Sequence, residues 1–266
     1  MIYKIMVSKL QINTAGLSTE KILLAVYREA CRCFTSSSQM INYLDVGAGN
    51  GELIKLIGSQ IDIKPYACDY TDGLMELDGQ TVEICDLNAE KLPYEDNTFD
   101  LVTFTEVIEH IENHRFTLSE IARVLKPGGY VILSTPNILN LKSRTRFLFC
   151  GFWNLFGPLK VGDRKLESTG GHINPIHYFY IAHSLMEARL KVVRDSYDKI
   201  QTSSFMWMLF LYIPIKICSA FHLRKEKTKW RTVDSQNEEF VAKTNSLTMM
   251  LSRTVVVTAQ KPDASL

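Results

Sequence analysis

Leu44-Asp-Val-Gly-Ala-Gly-Asn-Gly-Glu52 decides the reading of this chain. The apolar run Ile41–Val46 has strand character, and the glycines follow it directly and open a helix over about Gly51–Ile57. A turn of this kind lets backbone approach a ligand closely and points amide hydrogens into the crevice at a sheet's carboxyl edge. By itself the turn is a weak signal, because NAD and nucleotide folds share it. Its spacing here is G-x-G-x-G, not the G-x-G-x-x-G of a pyrophosphate dinucleotide site.

Outward from this stretch, strand-like and helix-like segments alternate up to Asn137. Pro65–Asp69 reads as a short strand ending on an acid, and Thr81–Ile84 as another, ending at Asp86. Phe99–Phe104 is a strongly apolar strand that runs into a helical segment, Glu106–Ile111. Leu118, Ile121, Ala122 and Leu125 give Phe116–Leu125 helical spacing. Lys126-Pro-Gly-Gly129 stops that helix, and Tyr130–Ser134 makes the next strand. Farther on, Tyr178–Leu190 reads as a helix, Lys191–Arg194 as the start of a strand and Arg253–Ala259 as the last strand. Thr19–Phe34 looks like an amphipathic helix able to pack on the sheet or cover its ligand.

The expected fold is α/β: a Rossmann-like, doubly wound, mostly parallel seven-stranded sheet with helical insertions. Its expected organisation is an N-terminal helical cap (1–40), a core (41–200) with a lid insertion at about 138–176, and an apolar and basic helical insertion with the final strand (201–266).

Composition bounds the partners. The 266 residues are 46% hydrophobic and 22% charged, enough to bury a real core, and the net charge of +1 argues against a strongly basic nucleic-acid binder. The six cysteines form no CxxC pair, so neither a zinc ribbon nor a thioredoxin-like site is suggested, and reduced thiols in the cytoplasm are expected. The N-terminal MIYKIMVSKLQINTAG lacks the h-region and cleavage site of a secretory signal.

Five blocks in order, LDVGAGNGE, the acid of YACDY, ICDLNAEKLPYEDNTFDLV, TEVIEHIEN and EIARVLKPGGYVILSTPN, resemble class I S-adenosylmethionine (SAM) dependent methyltransferases. The similar branch includes ubiquinone-pathway O-methyltransferases. The resemblance implies that Asp45, Gly47 and Gly49 hold the amino-acid part of SAM. It implies Asp69 for the ribose, Asp86 and Leu87 around adenine, and Thr105 with Glu106 near the sulfonium. The stretch TDGLMELDGQ departs from the family pattern, since it lacks the long helix expected after Asp69.

Methyl transfer from a sulfonium is an in-line displacement, so collinear positioning supplies much of the rate. A hydroxyl acceptor is a poor nucleophile until a base or a metal helps remove its proton. Glu106, Glu109 and His110 begin where the fourth strand ends, at spacings that put them on adjacent positions of a helix. Two carboxylates and an imidazole can hold Mg2+ or another divalent ion. A similar E-x-x-E-H motif is associated with metal in ubiquinone-pathway O-methyltransferases. It also resembles the site of terminal-ribose methyltransferases of small RNAs, where a later histidine completes the set; His172 takes that place here. Three readings stay open: a metal site at Glu106, Glu109, His110 and His172; His110 or His172 as a metal-free general base assisted by Glu109; or pure positioning.

Phe205–Phe221 is apolar nearly all round, broken by Pro214 and Lys216, and the basic run His222–Arg231 follows at once. An interfacial anchor on anionic headgroups, a buried or dimer-forming helix and a short span are the alternatives. The aromatic and basic stretch Arg144–Phe156 suits a lid over the acceptor or a packed cap. A looser resemblance to bacterial cell-surface glycan and lipid methyltransferases adds a sugar, a lipid-linked glycan or a prenylated ring to the candidate hydroxyl acceptors. RNA ribose methylation and a catalytically inactive regulatory module with this fold are the competing readings.

Overall fold

The computed structural model describes residues 12–34, 39–159 and 171–263. The expected lack of a secretory signal therefore concerns residues that lie mostly outside those described, as does the middle of the expected lid insertion.

A first helix, α1 (Glu20–Cys33), precedes β1 (Ile41–Val46), α2 (Glu52–Gly58) and β2 (Ile63–Asp69). No helix joins β2 to β3 (Val82–Ile84) among the described residues, in keeping with the departure at TDGLMELDGQ. Then come β4 (Phe99–Thr105), α3 (His114–Val124), β5 (Leu125–Pro136), α4 (Leu141–Cys150), α5 (Tyr178–Glu187) and β6 (Lys191–Tyr197). The chain closes with α6 (Thr202–Lys225), α7 (Glu238–Lys243), α8 (Leu247–Leu251) and β7 (Thr254–Gln260).

The seven strands form one sheet in the order β3-β2-β1-β4-β5-β7-β6. Every pair from β3 to β5 is parallel, whereas β7 runs antiparallel to both β5 and β6. Successive side chains on a strand face opposite ways, and the sheet uses both faces. Tyr43, Leu101, Ile132 and Val256 join the core layer beneath α1 and α2. Their neighbours Leu44, Val102, Leu133 and Val257 join the opposite layer with Leu118 and Ile121 of α3 and Ile181 and Leu185 of α5. This double burial is why these strands read as nearly continuous apolar runs. Strand order reverses between β1 and β4, and the crevice at such a reversal is where ligands bind in open α/β sheets.

Two segments differ from the sequence reading. Glu106–Ile111 is not a helix: only Ile108–His110 forms a single 3-10 turn, and Glu106 sits at a φ of 55°. Spacings of three and four suit an α-helix, but here the backbone leaves β4 through a left-handed residue before it turns. The helix that carries the apolar segment Phe205–Phe221 is longer than that segment. It is the 24-residue α6, which continues into a π-helical turn, Glu226–Trp230.

Candidate active site

At the carboxyl ends of β1, β2 and β4 lies a cavity of about 630 Å³. Asp45, Gly47, Gly49, Asp69, Asp86, Leu87, Thr105, Glu106, His110 and His172 all wall it. Glu109 does not; its side chain is buried behind that wall.

The glycine loop is built differently from the expectation that its amides face the crevice. Gly47 and Ala48 donate to the Cys68 carbonyl at 2.8 and 3.3 Å, and Gly49 donates to Asp69 Oδ2 at 2.8 Å. The loop thus spends these N–H groups on β2. Glycine is needed instead for shape: Gly47 has a φ of 76°, and a Cβ there would lie 2.2 Å from Val107 Cγ2. Asp69 also accepts from the Tyr70 amide at 2.7 Å, so the same carboxylate that walls the cavity braces the loop. Burial raises its pKa, opposed by the amides of Gly49 and Tyr70.

Asp45 is almost fully buried and accepts a 2.6 Å hydrogen bond from the Thr103 hydroxyl, which in turn contacts Tyr43 Oη at 2.7 Å. Burial pushes its carboxyl up to about 7, with the Thr103 hydroxyl pulling it down and the Asp69 charge pushing it further up. Such a carboxylate is poised to ionise when a cation arrives. Asp86, by contrast, lies on the exposed rim, where Oδ1 accepts from the Asn88 amide at 2.9 Å.

On the far side, Glu106 accepts from Ser134 Oγ at 2.9 Å. Burial raises its pKa to about 7, while the Ser134 hydroxyl and the nearby Arg253 charge lower it. Its carboxylate does not join the other proposed metal ligands, which corrects the expected four-residue set. One ligand atom each from Glu109, His110 and His172 lies within 4.8 Å of the others. Left-handed backbone at Glu106 turns its side chain toward β5 rather than toward the imidazoles.

His110 and His172 come together because the Glu109 carbonyl accepts from the amides of Ile173 and Asn174, each at 3.0 Å. The two rings meet edge-on with centroids 4.7 Å apart, and Phe156 covers His172 at 5.2 Å. His110 Nδ1 donates to the Gly171 carbonyl at 3.1 Å, because a carbonyl can only accept; Nε2 is left as the basic nitrogen. Burial lowers both histidines, His172 to about 4, which favours their neutral forms. Glu109 Oε2 accepts from Thr135 Oγ1 at 3.0 Å, but Oε1 is buried without a partner, as is His172 Nδ1. Burial and the neighbouring Glu106 hold the Glu109 carboxyl well above the usual carboxylate range.

Sequence reasoning missed Arg253. The antiparallel direction of β7 brings its first residues to the carboxyl edge of β5, and Arg253 reaches the cavity wall from there. It pairs with the buried Asp198 at 3.6 Å and donates to Thr19 Oγ1 at 3.4 Å. Leu17, Ser18 and Asn50 also wall the cavity unforeseen. Two other histidines serve the scaffold: His177 caps α5 by accepting from the Phe179 amide at 3.0 Å, and His114 contacts Asn174 at 3.2 Å.

Comparison with known proteins agrees with this architecture. Residues 44–133 match the family model described as a methyltransferase domain. A protein of Symbiobacterium thermophilum named demethylmenaquinone methyltransferase is 35% identical over 53% of this chain and 60% of its own length. One of the same name from Bacillus mycoides is 32% identical over 46% of this chain and 57% of its own. The chain thus spans about three fifths of the length of these curated relatives. A SAM-dependent methyltransferase structure from Archaeoglobus fulgidus superposes with a TM-score of 0.55 over 94% of this chain and 100% of that one, at 18% identity, a likeness of fold. Residues 44–133 thus match a methyltransferase domain, and the sheet that carries them has the fold of class I SAM-dependent methyltransferases.

Proposed function

We propose that this chain transfers the methyl group of SAM to a hydroxyl on a small-molecule, glycan or lipid-linked acceptor. The observation that carries the reading is that one cavity is walled by both the glycine loop with its acids and the paired neutral histidines. Asp45, Gly47 and Gly49 hold the amino-acid end of SAM, where the ligand's ammonium ionises Asp45. Asp69 faces the ribose, Asp86 and Leu87 flank adenine, and Thr105 and Glu106 lie toward the sulfonium. His110, through Nε2, takes the acceptor's proton as the oxygen attacks the methyl carbon, and neutral S-adenosylhomocysteine leaves. His172 and Phe156 close the space beside it.

Glu109, His110 and His172 also fit a divalent cation, since two of their buried polar atoms, Glu109 Oε1 and His172 Nδ1, lack hydrogen-bond partners. These three residues would hold it. A bound ion would supply Lewis-acid polarisation of the acceptor oxygen.

Quinone-like rings fall within the acceptor class because the curated relatives are named demethylmenaquinone methyltransferase. That name also favours a second reading. A ring hydroxyl, once deprotonated, is nucleophilic at carbon as well as oxygen, so the same base serves carbon methylation. We place the activity in the cytoplasm, in keeping with the buried thiols of Cys68 and Cys85.

Calorimetric titration with S-adenosylhomocysteine, with and without magnesium, tests the reading. Micromolar binding supports it and leads to a screen of glycan and quinone-like acceptors. A folded chain that does not bind would be a regulatory module instead.

A further inference from the structure

Helix α6 is 24 residues long, yet Ser204 is its only buried residue. Phe210 and Phe221 are each 72% exposed, and Leu209 and Ile213 are nearly as open. The end of α4 continues the same surface: Leu148 and Phe149 are 75% and 73% exposed, and Phe149 meets Trp207 with ring centroids 6.5 Å apart. A contiguous exposed apolar surface of this extent marks a membrane or protein interaction site. Basic side chains extend it at one end, where Arg224, Lys225, Lys227, Lys229 and Arg231 are all exposed.

The geometry points to a bilayer-docking face formed by the end of α4 and the length of α6. Its basic end sits on anionic headgroups, and it presents the cavity mouth at Leu155 to a lipid-linked acceptor. Only four residues of chain separate Cys150, the end of α4, from Leu155, which walls the cavity. Between them Trp153 stacks on Phe147 of α4 at 4.1 Å. The apolar face and this part of the cavity wall are therefore continuous along the chain. This inference rests on the methyl-transfer reading for what enters the mouth, and on the exposed surface for the docking itself.

Charge complementarity selects an anionic lipid surface as the occupant. Topology selects lying on the bilayer over crossing it. At a rise of about 1.5 Å per residue α6 is long enough to span, about 36 Å, and apolar enough by composition. However, the returning chain runs beside it: Lys216 Nζ donates to the Asn245 carbonyl at 3.4 Å, Asn245 Nδ2 donates to Ser219 Oγ at 2.6 Å, and Lys227 pairs with Glu238. That return carries Asp234, Glu238, Glu239 and Lys243. A crossing α6 would drag these charges into hydrocarbon, at several kcal/mol each by insertion scales.

The chain supplies its own probe, because its three tryptophans, Trp153, Trp207 and Trp230, all lie on these segments. The full chain should float with vesicles of phosphatidylcholine containing phosphatidylglycerol, and more weakly with phosphatidylcholine alone. Brominated acyl chains should quench its intrinsic fluorescence, and alkaline carbonate should release it. Phe210→Glu with Phe221→Glu should abolish flotation. Arg224→Glu with Lys229→Glu should weaken it on the order of tenfold or more on anionic vesicles, each basic residue being worth about fivefold. Both variants should keep wild-type affinity for S-adenosylhomocysteine.

Absence of flotation and quenching for the wild-type chain overturns the proposal. So does carbonate resistance, which would mean a span, or a dimer that Phe210→Glu dissociates without any vesicle binding, which would make the face a self-interface. Docking without S-adenosylhomocysteine binding would sink the methyl-transfer reading alone; binding without docking would sink this one alone.

Discussion

Gly47 and Val107 are packed so closely that a Cβ on the glycine would lie 2.2 Å from Val107 Cγ2. This contact joins the turn after β1 to the turn after β4, the two sides of the crevice. The glycine loop and the histidine-bearing segment are therefore set by one interface.

Gly47→Ala should accordingly lose on two counts. The left-handed backbone costs about 1 kcal/mol and the forced displacement of Val107 about 1–3 kcal/mol. Denaturant melts should show that combined loss, with affinity for S-adenosylhomocysteine down at least tenfold. Adding Val107→Ala should recover the packing part of the stability and leave the backbone part. A Gly47→Ala chain that melts and binds like the wild type would falsify the role given to this contact.

Asp45 should make cofactor affinity depend on pH. Its folded carboxyl is raised to about 7 by burial, above its unfolded value near 4. The proton it retains therefore contributes stability at acid pH, and that contribution is lost as pH rises through about 7; the full cost is at most about 4 kcal/mol. Asp45→Asn should remove this dependence, so the variant gains stability relative to wild type at pH 8. The ligand's ammonium should do the reverse to binding. Wild-type affinity should fall as pH drops below about 7, with proton release on binding near pH 6, visible as buffer-dependent binding heats. Equal heats in buffers of different ionisation enthalpy would remove Asp45 from the cofactor site.

Much of the sheet was legible because β1, β4, β5 and β7 are buried on both faces, which leaves unbroken apolar runs such as Val255-Val-Val257. The glycine turn and the acids after β2 and β3 were legible because chain direction alone puts them at the carboxyl edge. Glu106 was misread since a spacing pattern carries no φ angle, and one left-handed residue turned its carboxylate to Ser134. Arg253 left no local signal. Its neighbour Asp198 lies 55 residues earlier in the chain, and only the antiparallel seating of β7 brings the arginine to the cavity.

The paired imidazoles allow the base to be separated from the cation. His110→Ala should lower kcat about 10²–10⁴-fold for the acceptor found by screening, with S-adenosylhomocysteine affinity unchanged. Glu109→Gln keeps the Thr135 hydrogen bond but removes the carboxylate. If a cation is held there, manganese should raise the melting temperature of the wild type and not of Glu109→Gln or His172→Ala. An equal manganese response in all three chains would sink the ion site and leave His110 as the base. Full activity in His110→Ala would sink the base.

Arg253 offers the last test, because it faces the cavity and a buried acid at once. Its guanidinium lies 3.6 Å from Asp198, whose side chain is fully buried, and its charge lowers the pKa of Glu106. Truncation to Met removes the ion-pair partner of Asp198 Oδ2 and leaves Oδ1 its hydrogen bond from the Thr254 amide at 3.0 Å. Loss of a partner at such a site costs about 1–3 kcal/mol. Arg253→Met should therefore be less stable by that amount at neutral pH. Asp198→Asn with Arg253→Met should restore most of the loss, since no buried charge is then left unpaired. Cofactor binding should separate the two roles: if Arg253 also meets the ligand, the double variant regains stability while its affinity for S-adenosylhomocysteine stays about tenfold down. Recovery of both together would make Arg253 a strut for Asp198 and nothing more.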